Sequence, residues 1–119
     1  MQSETAHMLP RASAHVMNDL PQVSKDEVTI SEGVLASGTV LGEKPDGTHV
    51  QLVPGTGEAN AAVGILYGHA DASAGPVKAQ AHARVAAFYA DRITWPDGIT
   101  AEQKETAIAE LAALNLILR

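Results

Sequence analysis

Apolar and polar residues alternate through the middle of the chain, and this pattern predicts a protein built mainly of β-strands. EVTIS places Val28 and Ile30 on one side of a strand, and HVQLV places Val50 and Leu52 on one side of another. AAVGIL (61–66) is apolar throughout, as strands buried on both faces are. Turns that contain glycine and proline, such as PDG, separate these segments.

The segment VKAQAHARVAAFYA, which begins at Val77, shows the longest alternation. Apolar residues recur at every second position as far as Val85, and polar or charged residues, including His82, lie between them. This pattern predicts one long strand with a wet outer face, on which His82 would be solvated or at an interface. The inner face carries small side chains, which predicts a neighbouring element packed very close to it.

One helix is predicted near the end of the chain. Thr100 and Gln103 have the spacing of a capping box, and an apolar stripe that includes Leu111 follows at helical intervals. Asn115 is a suitable stop because it tolerates the left-handed conformation. The last residues, LNLILR, predict a short apolar strand.

The first 25 residues show neither the alternation of a strand nor the apolar spacing of a helix. They are polar, with scattered Ser, Ala and His and two prolines. Such a segment buries too little apolar surface to offset the entropy lost on ordering. We therefore predict a flexible N-terminal arm over residues 1–25 and a β-rich domain over residues 26–119, mainly β with one short C-terminal helix.

Composition narrows the range of functions. The formal net charge of −6 argues against a nucleic-acid partner and against a polybasic membrane surface. The chain has no cysteine, which excludes disulfides, thiolate zinc sites and cysteine nucleophiles. We find no apolar stretch long enough for a transmembrane span and no secretory signal. The core is rich in alanine and poor in aromatic residues, so we expect oligomerisation to supply part of the stability.

The strongest hint of chemistry is YGHADA, in which His69 and Asp71 would share a face if the strand continued. A carboxylate that orients a histidine begins either a metal site or a general base. No third ligand or nucleophile is near in sequence, so we interpret the segment as a strand that runs out into a loop. No catalytic residue, metal or cofactor is therefore predicted, and we expect the protein not to be an enzyme.

The order of these parts resembles the lambda-type bacteriophage head decoration protein family. The parts that carry the resemblance are GVLASGTVLGEKPDGTHVQLVP, AAVGIL, the loop at 70–75, the long alternating strand and ITWPDGITAEQKETAIAELAALNLILR. They span roughly residues 27–119, and their order over this length is far more specific than any one of them. The segment before residue 27 matches no motif.

The resemblance implies a small domain of the β-clip type that acts without catalysis. It implies homotrimers on the outer surface of the expanded capsid, where they bind the major capsid protein and cement the shell against the pressure of packaged DNA. The protein would lie in the host cytoplasm before assembly and in the virion afterwards. The family's N-terminal segment is typically mobile when free and orders on the capsid.

We also predict contact residues in this light. The arm would add as a strand to an exposed edge of the shell protein. The predicted shell contacts of the arm and first strand are Leu20, Val23, Val28 and Ile30. The predicted trimer-interface residues or packing anchors are Trp95, Pro96, Phe88 and Tyr89.

Two other functions remain open from the sequence. The first is a β-rich module that binds a peptide or carbohydrate; it needs an exposed aromatic platform, which four aromatic residues can hardly build. The second is a small metal-dependent enzyme that uses His69, Asp71 and His82. That reading requires the three side chains to converge in space.

Overall fold

The computed structural model describes residues 13–55 and 57–119. Over these residues the chain forms ten short strands and one α-helix, which confirms the predicted mainly β fold with a C-terminal helix. The strands are β1 (Val16–Asp19), β2 (Lys25–Ile30), β3 (Val34–Leu35), β4 (Val40–Glu43), β5 (His49–Gln51), β6 (Ala62–Tyr67), β7 (Ala70–Asp71), β8 (Val77–His82), β9 (Ala86–Phe88) and β10 (Leu116–Leu118). The helix α1 spans Ala101–Ala113, and a single 3-10 turn spans Ala90–Arg92.

Five strands close into a small barrel in the order β2-β5-β4-β6-β8. Its longest ladder is the antiparallel pair of β2 and β8, which runs from Lys25 opposite His82 to Ile30 opposite Val77. The barrel encloses the first of two hydrophobic cores, in which Ile30 is fully buried. The short pair β3 and β7 lies beside it.

A three-stranded sheet, in the order β1-β9-β10, forms a second layer. β1 runs antiparallel to β9, and β10 runs parallel to it. One face of this sheet packs with α1 over the second core, to which Phe88, Leu111 and Leu116 contribute fully buried side chains. The sheet therefore has an inner face in the core and an outer face that the rest of the described chain leaves open.

The helix has the predicted ends. Thr100 accepts a hydrogen bond from the backbone N–H of Gln103, and the Gln103 side chain accepts one from the backbone N–H of Thr100. At the other end Asn115 has a φ of 63°, in the left-handed region. The chain then turns directly into β10.

The predicted long strand is wrong, because it is broken into β8 and β9. Val85 lies between them with a φ of 52°, and the chain changes direction there. β8 stays in the barrel, whereas β9 leaves it to pair with β1 and β10. The break also overturns the prediction for His82, whose side chain is fully buried rather than solvated.

Part of the predicted arm is packed against the domain. β1 pairs with β9 through Val16 opposite Phe88, Asn18 opposite Ala87 and Asp19 opposite Ala86. Residues 1–12 of the predicted arm lie outside the described residues. The boundary at residue 25 stays a prediction about the free protein.

Candidate functional site

The residues considered for metal chemistry each have a separate local contact. Nδ1 of His69 accepts a hydrogen bond from the backbone N–H of Ser37 at 3.0 Å. Asp71 accepts hydrogen bonds from the backbone and the hydroxyl of Ser73. These two bonds lower the pKa of Asp71.

His82 instead contacts the N-terminal segment, since its Nε2 lies 2.7 Å from Oδ2 of Asp19. It pairs with Ile65 across the ladder, four residues before His69. Within residues 13–55 and 57–119, no three His, Asp or Glu side chains are grouped to hold a metal ion. None of the helices in this part of the chain is long and apolar enough to cross a membrane.

The four predicted shell contacts occupy different environments. Leu20 and Val23 are exposed, at 48% and 45%. Val28 is half-buried. Ile30 is fully buried in the barrel core, so its side chain does not reach the surface.

The four predicted interface or packing residues also differ. Phe88 and Pro96 are buried, and the half-buried Trp95 packs against the same core as Phe88. Lys104 places its Nζ 5.5 Å from the centre of the Trp95 ring. Tyr89 is the exposed member of the set, and the guanidinium of Arg92 lies 4.7 Å from the centre of its ring.

The outer face of the sheet β1-β9-β10 carries a shallow groove of about 460 Å³. Leu20 and Val85 lie at one side of it, and Ala87 and Ile117 come from β9 and β10. The full lining is Asn18, Asp19, Leu20, Val85, Ala86, Ala87, Asn115 and Ile117. Three of its aliphatic side chains, those of Leu20, Val85 and Ile117, are exposed, a grouping typical of a surface that meets a partner. We call it the apolar groove.

Two sets of hydrogen bonds hold the residues around the apolar groove in place. Ser24 binds the backbone N–H of Leu20 with its Oγ and donates from the same hydroxyl to the carbonyl of Val85 at 2.7 Å. In the second set, the N–H of Ala86 in β9 donates to the carbonyl of Asn115, just after the end of α1. Leu20, Val85 and the end of α1 are thus held in one place.

Val85 is a conformational outlier. A left-handed φ is rare for a β-branched residue and costs on the order of 1–3 kcal/mol. Despite this cost the fold holds Val85 in the left-handed conformation, with its exposed side chain at the apolar groove. Nothing in the alternation of the sequence signals the outlier, so it was missed.

An ion pair fixes the turn that presents Leu20 and Val23. Arg84 donates to the carbonyl of Val23 at 2.6 Å and to the carboxylate of Asp26 at 2.5 Å. The hydrogen bond from Arg84 lowers the pKa of Asp26. Both partners are solvent-exposed, so the pair orients the turn more than it stabilises the fold.

Comparison with protein families identifies a match over most of the chain. The family model described as "Bacteriophage lambda head decoration protein D" matches residues 8–116. The matched range includes the barrel, β1, β9, the helix and part of the segment to which no motif could be assigned, and it ends at the first residue of β10. A search of curated proteins finds none that matches the chain.

Proposed function

Because the chain belongs to the bacteriophage lambda head decoration protein D family, we propose that it forms homotrimers that cement the outer surface of the expanded capsid. Membership makes it a structural protein of the phage head, found in the virion. The proposal adds the trimer, the outer surface, the binding to the major capsid protein and the resistance to the pressure of packaged DNA. Before assembly the protein resides in the host cytoplasm.

The apolar groove is the observation that carries this proposal. Exposed apolar area of this kind costs free energy in water and is typical of a contact surface. Leu20 belongs to the groove and Val23 is close to it in the chain. We assign the groove, together with Leu20 and Val23, to the contact with the shell protein.

The arm extends this contact. β1 lies at an edge of its sheet, so its outer side offers backbone groups for strand addition by a shell segment. Three arms on one trimer raise the effective concentration of each at its site, which converts weak single contacts into lasting attachment. Tyr89, the exposed member of the predicted interface set, is assigned to the trimer contact.

The test is a binding assay on expanded heads of the cognate phage that lack decoration. We expect about one bound copy per shell subunit, and a rise in the melting temperature of the shell. Absence of binding by the wild-type protein would contradict the proposed function.

A pair of variants separates the groove from the rest of the surface. Leu20→Asp puts a charge into the apolar groove and is expected to weaken binding about ten-fold or more. Val53→Asp is the matched control, because Val53 is equally exposed but lies outside the groove. Equal binding by both variants would remove the groove from the proposal and leave the function intact.

The peptide- or carbohydrate-binding reading gains no support. Of the four aromatic residues, Phe88 is buried, and Trp95 and Tyr67 are half-buried. Tyr89 alone does not make a platform for a sugar or peptide.

A further inference from the structure

Two buried histidines lie where the N-terminal segment meets the domain. His15 immediately precedes β1 and is 1% exposed, and His82 at the end of β8 is fully buried. The ring of His15 stacks on Phe88 with a centroid distance of 5.7 Å, and its centroid lies 6.2 Å from that of His82. Tyr67 closes the cluster at 6.3 Å from His15.

The hydrogen bonds of this cluster suit neutral imidazole rings. Nε2 of His82 donates to Asp19, and its Nδ1 is buried without a partner among the described residues, so no acceptor is placed there for a second ring proton. Nε2 of His15 is buried in the same way. A charged His15 would need both ring nitrogens to donate, and in this position Nε2 has no acceptor.

The charged groups around the cluster do not favour a cation at His15. Asp19 is the carboxylate nearest to the pair, and it is already bound by His82 and by Lys25 at 3.8 Å. Lys25 also lies 4.2 Å from the centre of the Tyr67 ring, and Arg92 binds the carbonyl of Ala14.

These surroundings affect the pKa values of the two histidines differently. Burial and the neighbouring His82 lower the pKa of His15 to about 4. Burial also lowers the pKa of His82, although Asp19 opposes that shift. Among the described residues, no carboxylate opposes the shift at His15.

The backbone around His15 is what attaches the segment to the domain. The N–H of Tyr89 donates to the carbonyl of His15 at 2.9 Å, and Arg92 donates to the carbonyl of Ala14 at 3.0 Å. The β1–β9 ladder continues from this point. The His15 ring is buried while these contacts are closed, so we expect protonation and attachment to be coupled.

We propose that residues 14–19 form an acid-released latch, which is closed while His15 is neutral and opens when its imidazole takes up a proton. Opening removes β1 from the edge of β9 and uncovers the ring of Phe88. The latch is a property of the free chain, and it is tested without any partner in the apolar groove.

The direction of the pH dependence follows from the two states. His15 titrates near 6.5 in the open segment and near 4 in the closed one, so the closed state is fully favoured above about pH 6.5. Its advantage is lost as the pH falls from there towards 4. At about pH 5 the open-to-closed ratio should be about twenty-fold higher than at neutral pH.

Amide hydrogen exchange on the full chain measures this ratio. The reporter is the Tyr89 N–H, which is bonded to His15, and its rate is divided by the intrinsic rate at each pH. We expect protection to fall about twenty-fold between neutral pH and about pH 5, while the amides of β6 in the barrel stay protected. Constant protection of Tyr89, or an equal loss in β6, would overturn the latch.

Two variants assign the effect to one ring. His15→Phe keeps a flat ring on Phe88 and is expected to remove most of the pH dependence of Tyr89 protection, leaving only the part that His82 contributes. His49→Phe is the matched control, since His49 lies in β5 and is expected to leave the wild-type pH dependence intact. A wild-type pH dependence in His15→Phe would contradict the proposal.

A second measurement needs no variant. The carbon-bound ring protons of His15 can be followed by NMR in the wild-type protein while exchange reports that β1 is attached. A midpoint below about pH 5 supports the latch, whereas a midpoint near the ordinary value of 6.5 with β1 closed would refute it.

Discussion

At the scale of single residues, two glycines set how closely the barrel strands approach. A Cβ built on Gly64 would lie 2.9 Å from the carbonyl oxygen of His82, and one on Gly42 would overlap the backbone of Ala59. In both cases the blocking atoms belong to backbone, which cannot rotate away. The close approach predicted for the small-residue strand is thus found where Gly64 meets the end of β8.

Gly64→Ala is therefore expected to be strongly destabilising. The added methyl should lower the free energy of unfolding by about 3 kcal/mol, the upper end of the usual cost of overpacking. Urea denaturation measures the change. Gly68→Ala is the control, because a Cβ there meets nothing within 4 Å and only its positive φ matters, at about 1–2 kcal/mol. A smaller loss for Gly64→Ala than for Gly68→Ala would contradict the steric account.

Residue type and periodicity predicted the burial of some side chains correctly and of others wrongly. Val28 and Leu111 face inward as their periodicity indicated. His82 was placed outside because alternation counts a histidine as polar, whereas its bond to Asp19 offsets the cost of burial. His15 was missed because it lies in the segment that we interpreted as a flexible arm. The contacts of both histidines depend on the packing of β1 against β9, and the sequence does not predict that pairing.

At the scale of elements, α1 depends on its reciprocal cap. Thr100→Ala removes one of the two hydrogen bonds and is expected to lower the free energy of unfolding by about 1 kcal/mol. Urea denaturation of Thr100→Ala, Gln103→Ala and the double variant measures the coupling. The double variant should lose less than the sum of the single losses, because each side chain serves the same turn. Strict additivity would show that the two bonds act independently.

The elements differ in how far the sequence could predict them. The helix was predictable because its cap and its Asn115 stop are local signals. β1 was not, since it has only four residues and pairs with β9, which is distant in the chain. The break between β8 and β9 was hidden because alternation continues across Val85 on both sides of the turn. Tertiary pairing, rather than local propensity, decides these elements.

At the scale of the whole molecule, the arm and the folded domain can be tested separately. A protein that lacks residues 1–12 keeps β1 and the contacts that begin at Ser13, so it is expected to fold with an unchanged urea midpoint. Its binding to undecorated heads should weaken about ten-fold or more, because the proposed trimer would lose its three arm contacts. Binding equal to that of the full chain would restrict the shell contact to the apolar groove.

Removing residues 1–24 is the useful comparison. This deletion also takes away β1 and Ser24, so it uncovers the edge of β9 and should lower stability as well as binding. The difference between the two deletions separates what the arm contributes to the shell from what β1 contributes to the domain.

The family and the general architecture were predictable at this scale, because the order of the parts along the chain is itself informative. The apolar groove was not predictable, since it collects Leu20, Val85 and Ile117 from distant parts of the sequence. Leu20 entered the predictions as an apolar residue of the arm, and its neighbours in space could not be inferred without the strand order.

The antiparallel pairing of β1 with β9 also has a mechanical consequence. A pull on residue 13 along the axis of β1 loads its hydrogen bonds to β9 together, in shear, so that all of them resist at once. A pull across the strand breaks the same bonds one after another, starting where Tyr89 holds His15. The direction in which the arm leaves the domain therefore decides whether β1 resists force with all its hydrogen bonds at once or detaches one hydrogen bond at a time.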